Sequence, residues 1–68
     1  MKINKWKYRL ACARACMSTK DVVESSGVNR NTLNTCMGRQ GGSPVTVGKI
    51  AKALGVDVLD IIEQEEGS

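Results

Sequence analysis

"GVNRNTLNTC", residues 27–36, carries three asparagines, two threonines and one arginine among very few apolar side chains. Asn and Thr are mediocre helix formers, because their side chains compete for backbone hydrogen bonds. Placed on a helix over 30–37, the stretch nevertheless sorts into two faces. Arg30, Asn31, Asn34 and Thr35 fall within one arc of about 140° at helical rotation. Leu33, Cys36 and Met37 fall on the opposite side, with Thr32 at the border. A merely solvated face usually favours Glu, Lys, Gln and Ala for their helix propensity. This face gives up propensity for a guanidinium, two carboxamides and a hydroxyl. Such groups suit base edges, since Arg bonds guanine bidentately and Asn does the same to adenine in the major groove.

The helical reading is supported by a start signal that recurs along the chain: a polar cap residue, an apolar residue just before it, and another four places after it. It occurs at Asn4, Ser18, Asn29, Thr46 and Asp57. Ser18 with Asp21 and Asp57 with Asp60 also have capping-box spacing. Gly27, Gly38 and Gly55 supply the stops, as glycine accepts the left-handed conformation past a helix end. The pattern predicts helices over about 5–15, 19–25, 30–37, 47–54 and 58–63, with residues 64–68 frayed. "GRQGGSP", residues 38–44, is the one loop of substance. Along the first helix, Trp6, Leu10, Ala13 and Met17 recur at helical spacing, which predicts that Trp6 is a core residue. The class expected is all-α, in a single domain over 1–68.

A chain of this length buries only about 60% of its unfolded surface, so its core is small. Cys12, Cys16 and Cys36 are an odd set without a secretory pattern, which reads as reduced thiols in a cytoplasmic protein. No apolar run reaches membrane-spanning length. With no histidine and no CxxC pair, the cysteines read as buried small hydrophobes rather than metal ligands. No catalytic constellation is evident, and no cofactor is expected. "GRQGG" lacks the Lys-Ser/Thr ending of a phosphate loop.

Net charge is +3, unevenly spread. Residues 1–42 hold eight Lys/Arg against Asp21 and Glu24, and residues 43–68 hold two against five acids, so +6 meets −3. A basic front suggests a polyanionic partner; the alternative is two solvated faces of opposite sign. Lys2, Lys5, Lys7 and Arg9 read as an arm along a phosphate backbone, or as a solubilising terminus.

Residues 18–36 have the spacing of a helix-turn-helix. The run "MSTKDVVESSGVNRNTLNTCMGRQ" (17–40), followed by "SPVTVGKIAKALGVDVLDII" (43–62), resembles the phage repressor and Cro-type (XRE-like) helix-turn-helix family over about residues 4–63. The second segment is the more specific part. The resemblance implies a compact five-helix bundle that binds operator double-stranded DNA as a homodimer and regulates transcription. By position, Arg30, Asn31, Asn34 and Thr35 would meet bases. Ser18, Thr19, Asn29, Thr32, Arg39, Gln40 and Ser43 would meet or orient phosphates. Val58 and Leu59 would lie at the dimer contact. Three places depart from the family pattern. Thr19 stands where a longer Gln is usual, and Val23 where a small Ala is usual. Cys12 and Met37 replace a usual Arg–Glu pair. The alternative to a DNA-binding regulator is a protein-interaction module, or an antitoxin-like autoregulator, built on the same bundle.

Overall fold

Every helix starts at a polar side chain that closes on its own first turn. The computed structural model describes residues 1–63 and contains α1 (Lys5–Ala15), α2 (Thr19–Ser26), α3 (Arg30–Met37), α4 (Pro44–Leu54) and a 3-10 turn, Val58–Asp60. Asn4 Oδ1 accepts from the Lys7 amide at 2.9 Å, and Asn29 Oδ1 accepts from the Thr32 amide at 2.8 Å. Ser18 with Asp21 and Asp57 with Asp60 both form reciprocal capping boxes. These bonds satisfy amides that the first helical turn leaves orphaned.

The fourth helix differs from expectation. Ser43, not Thr46, is its cap, and the helix begins at Pro44 rather than at residue 47. Pro44 is expected in the loop over 38–44. At the first helical position, however, its missing N–H is one that would have no partner anyway. Gly27 and Gly55 end α2 and α4 in the left-handed region, at φ 75° and 72°. Gly38 does not; it is extended, with φ −76° and ψ 179°.

The core forms around α4. Val47, Ile50, Ala51 and Leu54 are buried on one face, and α4 packs against α2, α1 and the 3-10 turn. Val22, Leu33, Cys36, Tyr8, Ala11, Val28, Ile3 and Ile61 complete the buried set. At about 25 cal/mol per Å² of apolar surface, each buried aliphatic side chain contributes roughly 1.5–3 kcal/mol.

Helix α1 buries a different face from the one its largest side chain suggests. Trp6 is 67% exposed and Leu10 is 49% exposed, while Tyr8 and Ala11 are buried, with Cys12 and Ala15 packed beside them. Apolar residues occur all round this helix. Tyr8 and Ala11, three apart, define the inward face, and Trp6 and Leu10 lie off it. Cys16 also departs from the buried-thiol reading: it is exposed, and it ends α1 in the left-handed region at φ 56°.

The predicted helix over 58–63 reduces to a single 3-10 turn, so the bundle has four α-helices rather than five helices. The physical reason is at the N-terminus. Residues 1–4 are not a free arm; they are inserted as an extended segment. Ile3 is fully buried and bridges Ile62 in antiparallel fashion. The Asn4 amide donates to Ile61 O at 2.8 Å, and the Glu63 amide donates to Lys2 O at 2.9 Å. The Ile61 and Ile62 amides still close back on Val58 O, but Ile61 O and the Glu63 amide are taken by the N-terminal segment, and the helix goes no further. The predicted fraying of 64–68 lies outside the described residues. Among the described residues, no helix is long and apolar enough to cross a membrane.

The same segment also fastens the loop after α3. Gly42 donates to Met1 O at 2.7 Å and accepts from the Met1 amino group at 2.9 Å. A Cβ at Gly42 would collide with the buried Cys36 Sγ. Gly42→Ala is therefore expected to cost about 1–3 kcal/mol by overpacking. Urea denaturation checks this, and an unchanged midpoint would show that the thiol yields freely. Trp6→Ala, an exposed site, is expected to stay within about 0.5 kcal/mol of the parent.

Candidate functional site

Helix α3 is docked by one narrow stripe. Leu33 and Cys36 are buried, and Met37 packs half-buried beside them. At 100° per residue this leaves Arg30, Asn31, Asn34 and Thr35 pointing outward, and all four are exposed, with Thr32 half-buried at the border. No acid stands in the first turn of α3. The Thr35 hydroxyl donates to Asn31 O at 2.9 Å. Its proton is thus committed within the helix. The oxygen lone pairs and the methyl group remain available, which suits an amino donor or a thymine methyl better than a base acceptor.

The remaining predicted positions surround α3 unevenly. Asn29 caps α3 through Oδ1, which leaves its amide nitrogen free to donate outward. Ser18 is exposed and caps α2, accepting from the Asp21 amide at 3.2 Å. Ser18 in turn holds the Asp21 carboxyl below the usual carboxylate range, first through its backbone amide and then through its hydroxyl. Arg39 and Gln40 are exposed in the loop after α3. Ser43 is already engaged: it caps α4 and sits 2.9 Å from Thr46 Oγ1.

Thr19 is too short to reach far, and its hydroxyl instead accepts from the Tyr8 phenol at 3.3 Å. Burial pushes the Tyr8 phenol above its ordinary value, which keeps it protonated and able to donate. This bond ties α1 to the start of α2. No local pattern signals it, because the two residues belong to different helices.

Arg30, Asn34 and Thr19 converge on one groove of about 300 Å³, shared with Lys5, Tyr8, Arg9, Leu33 and Met37. Gln40 and Ser43 are not among its walls. On another side of the molecule, Val58 packs half-buried against the core while Leu59 is 69% exposed. Leu59 shares a second groove, about 270 Å³, with Leu10, Val56 and Ala11, edged by Lys7, Arg14 and Asp60. Leu10, expected in the core stripe with Trp6, lies instead on this apolar patch. Among the described residues, no three His, Cys, Asp or Glu side chains come together. Burial raises the Cys36 thiol above its ordinary value, so it is a poor nucleophile.

No protein-family model, no curated protein and no solved structure matches this chain.

The Asn29 cap can be tested separately from any partner. Asn29→Ala is expected to lower stability by about 1 kcal/mol, whereas Asn29→Asp, which restores the acceptor, should leave it near the parent value. Thermal melts followed by circular dichroism decide this. Equal losses in both variants would mean that the carboxamide nitrogen, not the cap, is what matters.

Proposed function

We propose that this chain is a sequence-specific double-stranded DNA-binding regulator of transcription, of the repressor/Cro type, acting in the cytoplasm. The observation that carries the reading is the outer face of α3. It offers Arg30, Asn31, Asn34 and Thr35 on a helix fixed by Leu33 and Cys36. In this reading α2 and α3 form a helix-turn-helix, with α3 in the major groove and α2 across the backbone. Asn31, Asn34 and Thr35 read base edges together with Arg30. Ser18, Thr19, Asn29 and the loop residues Arg39 and Gln40 hold phosphates. The excess of cations over residues 1–42 supports a polyanionic partner.

The apolar groove around Leu59 and Leu10 supports a homodimer. Its lining includes Arg14 and Asp60, charges of opposite sign that two copies related by a two-fold axis can pair. A dimer of this kind would read two half-sites about one helical turn apart. The exposed Leu10, Leu59 and Trp6 also fit the rival reading, a protein-interaction module in which DNA is secondary.

A titration against duplex DNA at two salt concentrations separates the two. The DNA reading expects tight binding at low salt that weakens steeply as salt rises. Absence of binding at low salt would leave the protein-interaction reading. With a selected site in hand, Asn31→Ala is expected to cost about 1–3 kcal/mol and to relax preference at one base position. An equal loss on every sequence would remove Asn31 from the base-reading set.

A further inference from the structure

Four cations stand at the start of the chain: Lys2, Lys5, Lys7 and Arg9. The fold divides them into two pairs. Lys2 Nζ lies 3.5 Å from the Glu63 carboxylate, and Lys7 Nζ donates to Ile62 O at 3.2 Å. Both are held by the C-terminal segment. Lys5 and Arg9, one helical turn apart, instead line the groove between α1 and α3, beside Arg30 and Asn34. No carboxylate lines that groove, and among the described residues none of Lys5, Arg9 and Arg30 forms an ion pair.

This arrangement concentrates positive charge around one concavity. Three like charges border one concavity. Lys5 is the first residue of α1 and Arg30 the first residue of α3, and neither helix has an acid in its first turn. The helix dipole favours anions at those positions and disfavours cations. An anion seated in the groove would relieve both effects at once. Thr19 adds a polar contact, because its oxygen accepts from Tyr8 and its own proton remains free to donate.

We propose that the groove between α1 and α3 is a phosphate-binding site for the DNA backbone, with Lys5 and Arg9 as its cations and Thr19 as a hydroxyl donor. The site rests on the DNA reading above and extends the interface onto α1. Lys2 and Lys7 take no part in it, although they lie in the same basic run. Trp6 stands at the end of the site. It shares an adjoining groove with Lys5, Met37 and Arg39, and it is the one tryptophan in the chain. Its emission therefore reports occupancy.

The test compares two double variants that remove the same charge, Lys5→Gln with Arg9→Gln and Lys2→Gln with Lys7→Gln, in the full chain. Binding to a labelled duplex is followed by anisotropy across a salt series, and folding by circular dichroism. Each phosphate contact contributes about 0.9 to the slope of log affinity against log salt. The first pair is expected to lower that slope by about 1–2 and to weaken low-salt binding by roughly tenfold or more. The second pair is expected to leave the slope unchanged. Arg9→Gln alone, at an exposed residue with no side-chain hydrogen bond among the described residues, is expected to lower the slope by about one contact, which keeps the test readable if a double variant unfolds. Trp6 emission should change on duplex binding by the parent. Equal losses in both pairs, or an unchanged slope in the Lys5/Arg9 pair, would overturn the site while leaving DNA binding intact. A parent that binds no duplex at low salt would overturn the DNA reading, and this site with it.

Discussion

Ile3 is the residue on which the N-terminal segment, the segment after the 3-10 turn and the end of α3 are joined. Its side chain is fully buried, its amide donates to Cys36 O at 2.9 Å, and its backbone bridges Ile62. Through it the last turn of α3, the loop at Gly42 and the segment after the 3-10 turn are held to one extended strip, residues 1–4. In a domain this small, such ties matter because the apolar core alone leaves little margin over the entropy of ordering the chain. The strip also satisfies backbone groups that would otherwise be buried without partners.

A consequence is that α3 needs few side chains of its own for docking. Leu33, Cys36 and the Asn29 cap hold it, with the backbone tie at Cys36 securing its far end. The other positions of the helix are then free of structural duty. That freedom is what allows a face of Arg, Asn and Thr on a helix of only eight residues. The same logic applies to α1: it packs through Tyr8 and Ala11, which releases Lys5 and Arg9 toward α3 and Leu10 toward Leu59. The surface chemistry of the molecule follows from how narrow its buried stripes are.

Much of this was readable from residue order, where the physics is local. The caps at Asn4, Ser18, Asn29 and Asp57 depend on neighbours within one turn, and so they stand out in the chain. The two-faced character of α3 follows from periodicity in the same way, and its exposed and buried residues fall where rotation places them. What could not be read depends on distant partners. Spacing predicts a core stripe through Trp6, but the helix buries the face of Tyr8 and Ala11 instead. The segment after Asp60 continues a helical pattern, yet Ile61 O and the Glu63 amide are taken by Asn4 and Lys2, more than fifty residues earlier. Pro44 and Ser43 belong to α4 for a local reason: a proline that breaks a helix interior is compatible with the first helical position. Within the candidate site, the α3 face was evident in the chain, whereas the Tyr8–Thr19 bond and the division of the four N-terminal cations were not.

The central claim is that the outer face of α3 reads base sequence. Selection of bound duplexes from a random pool by the parent protein tests it most directly, with the selected sites then compared at moderate salt. A recurring half-site, repeated with two-fold symmetry about one helical turn apart, is the predicted result. Binding without enrichment of any sequence would contradict base reading and leave only a backbone interaction. No recovery of DNA at all would assign the face of Arg30, Asn31, Asn34 and Thr35 to some other partner.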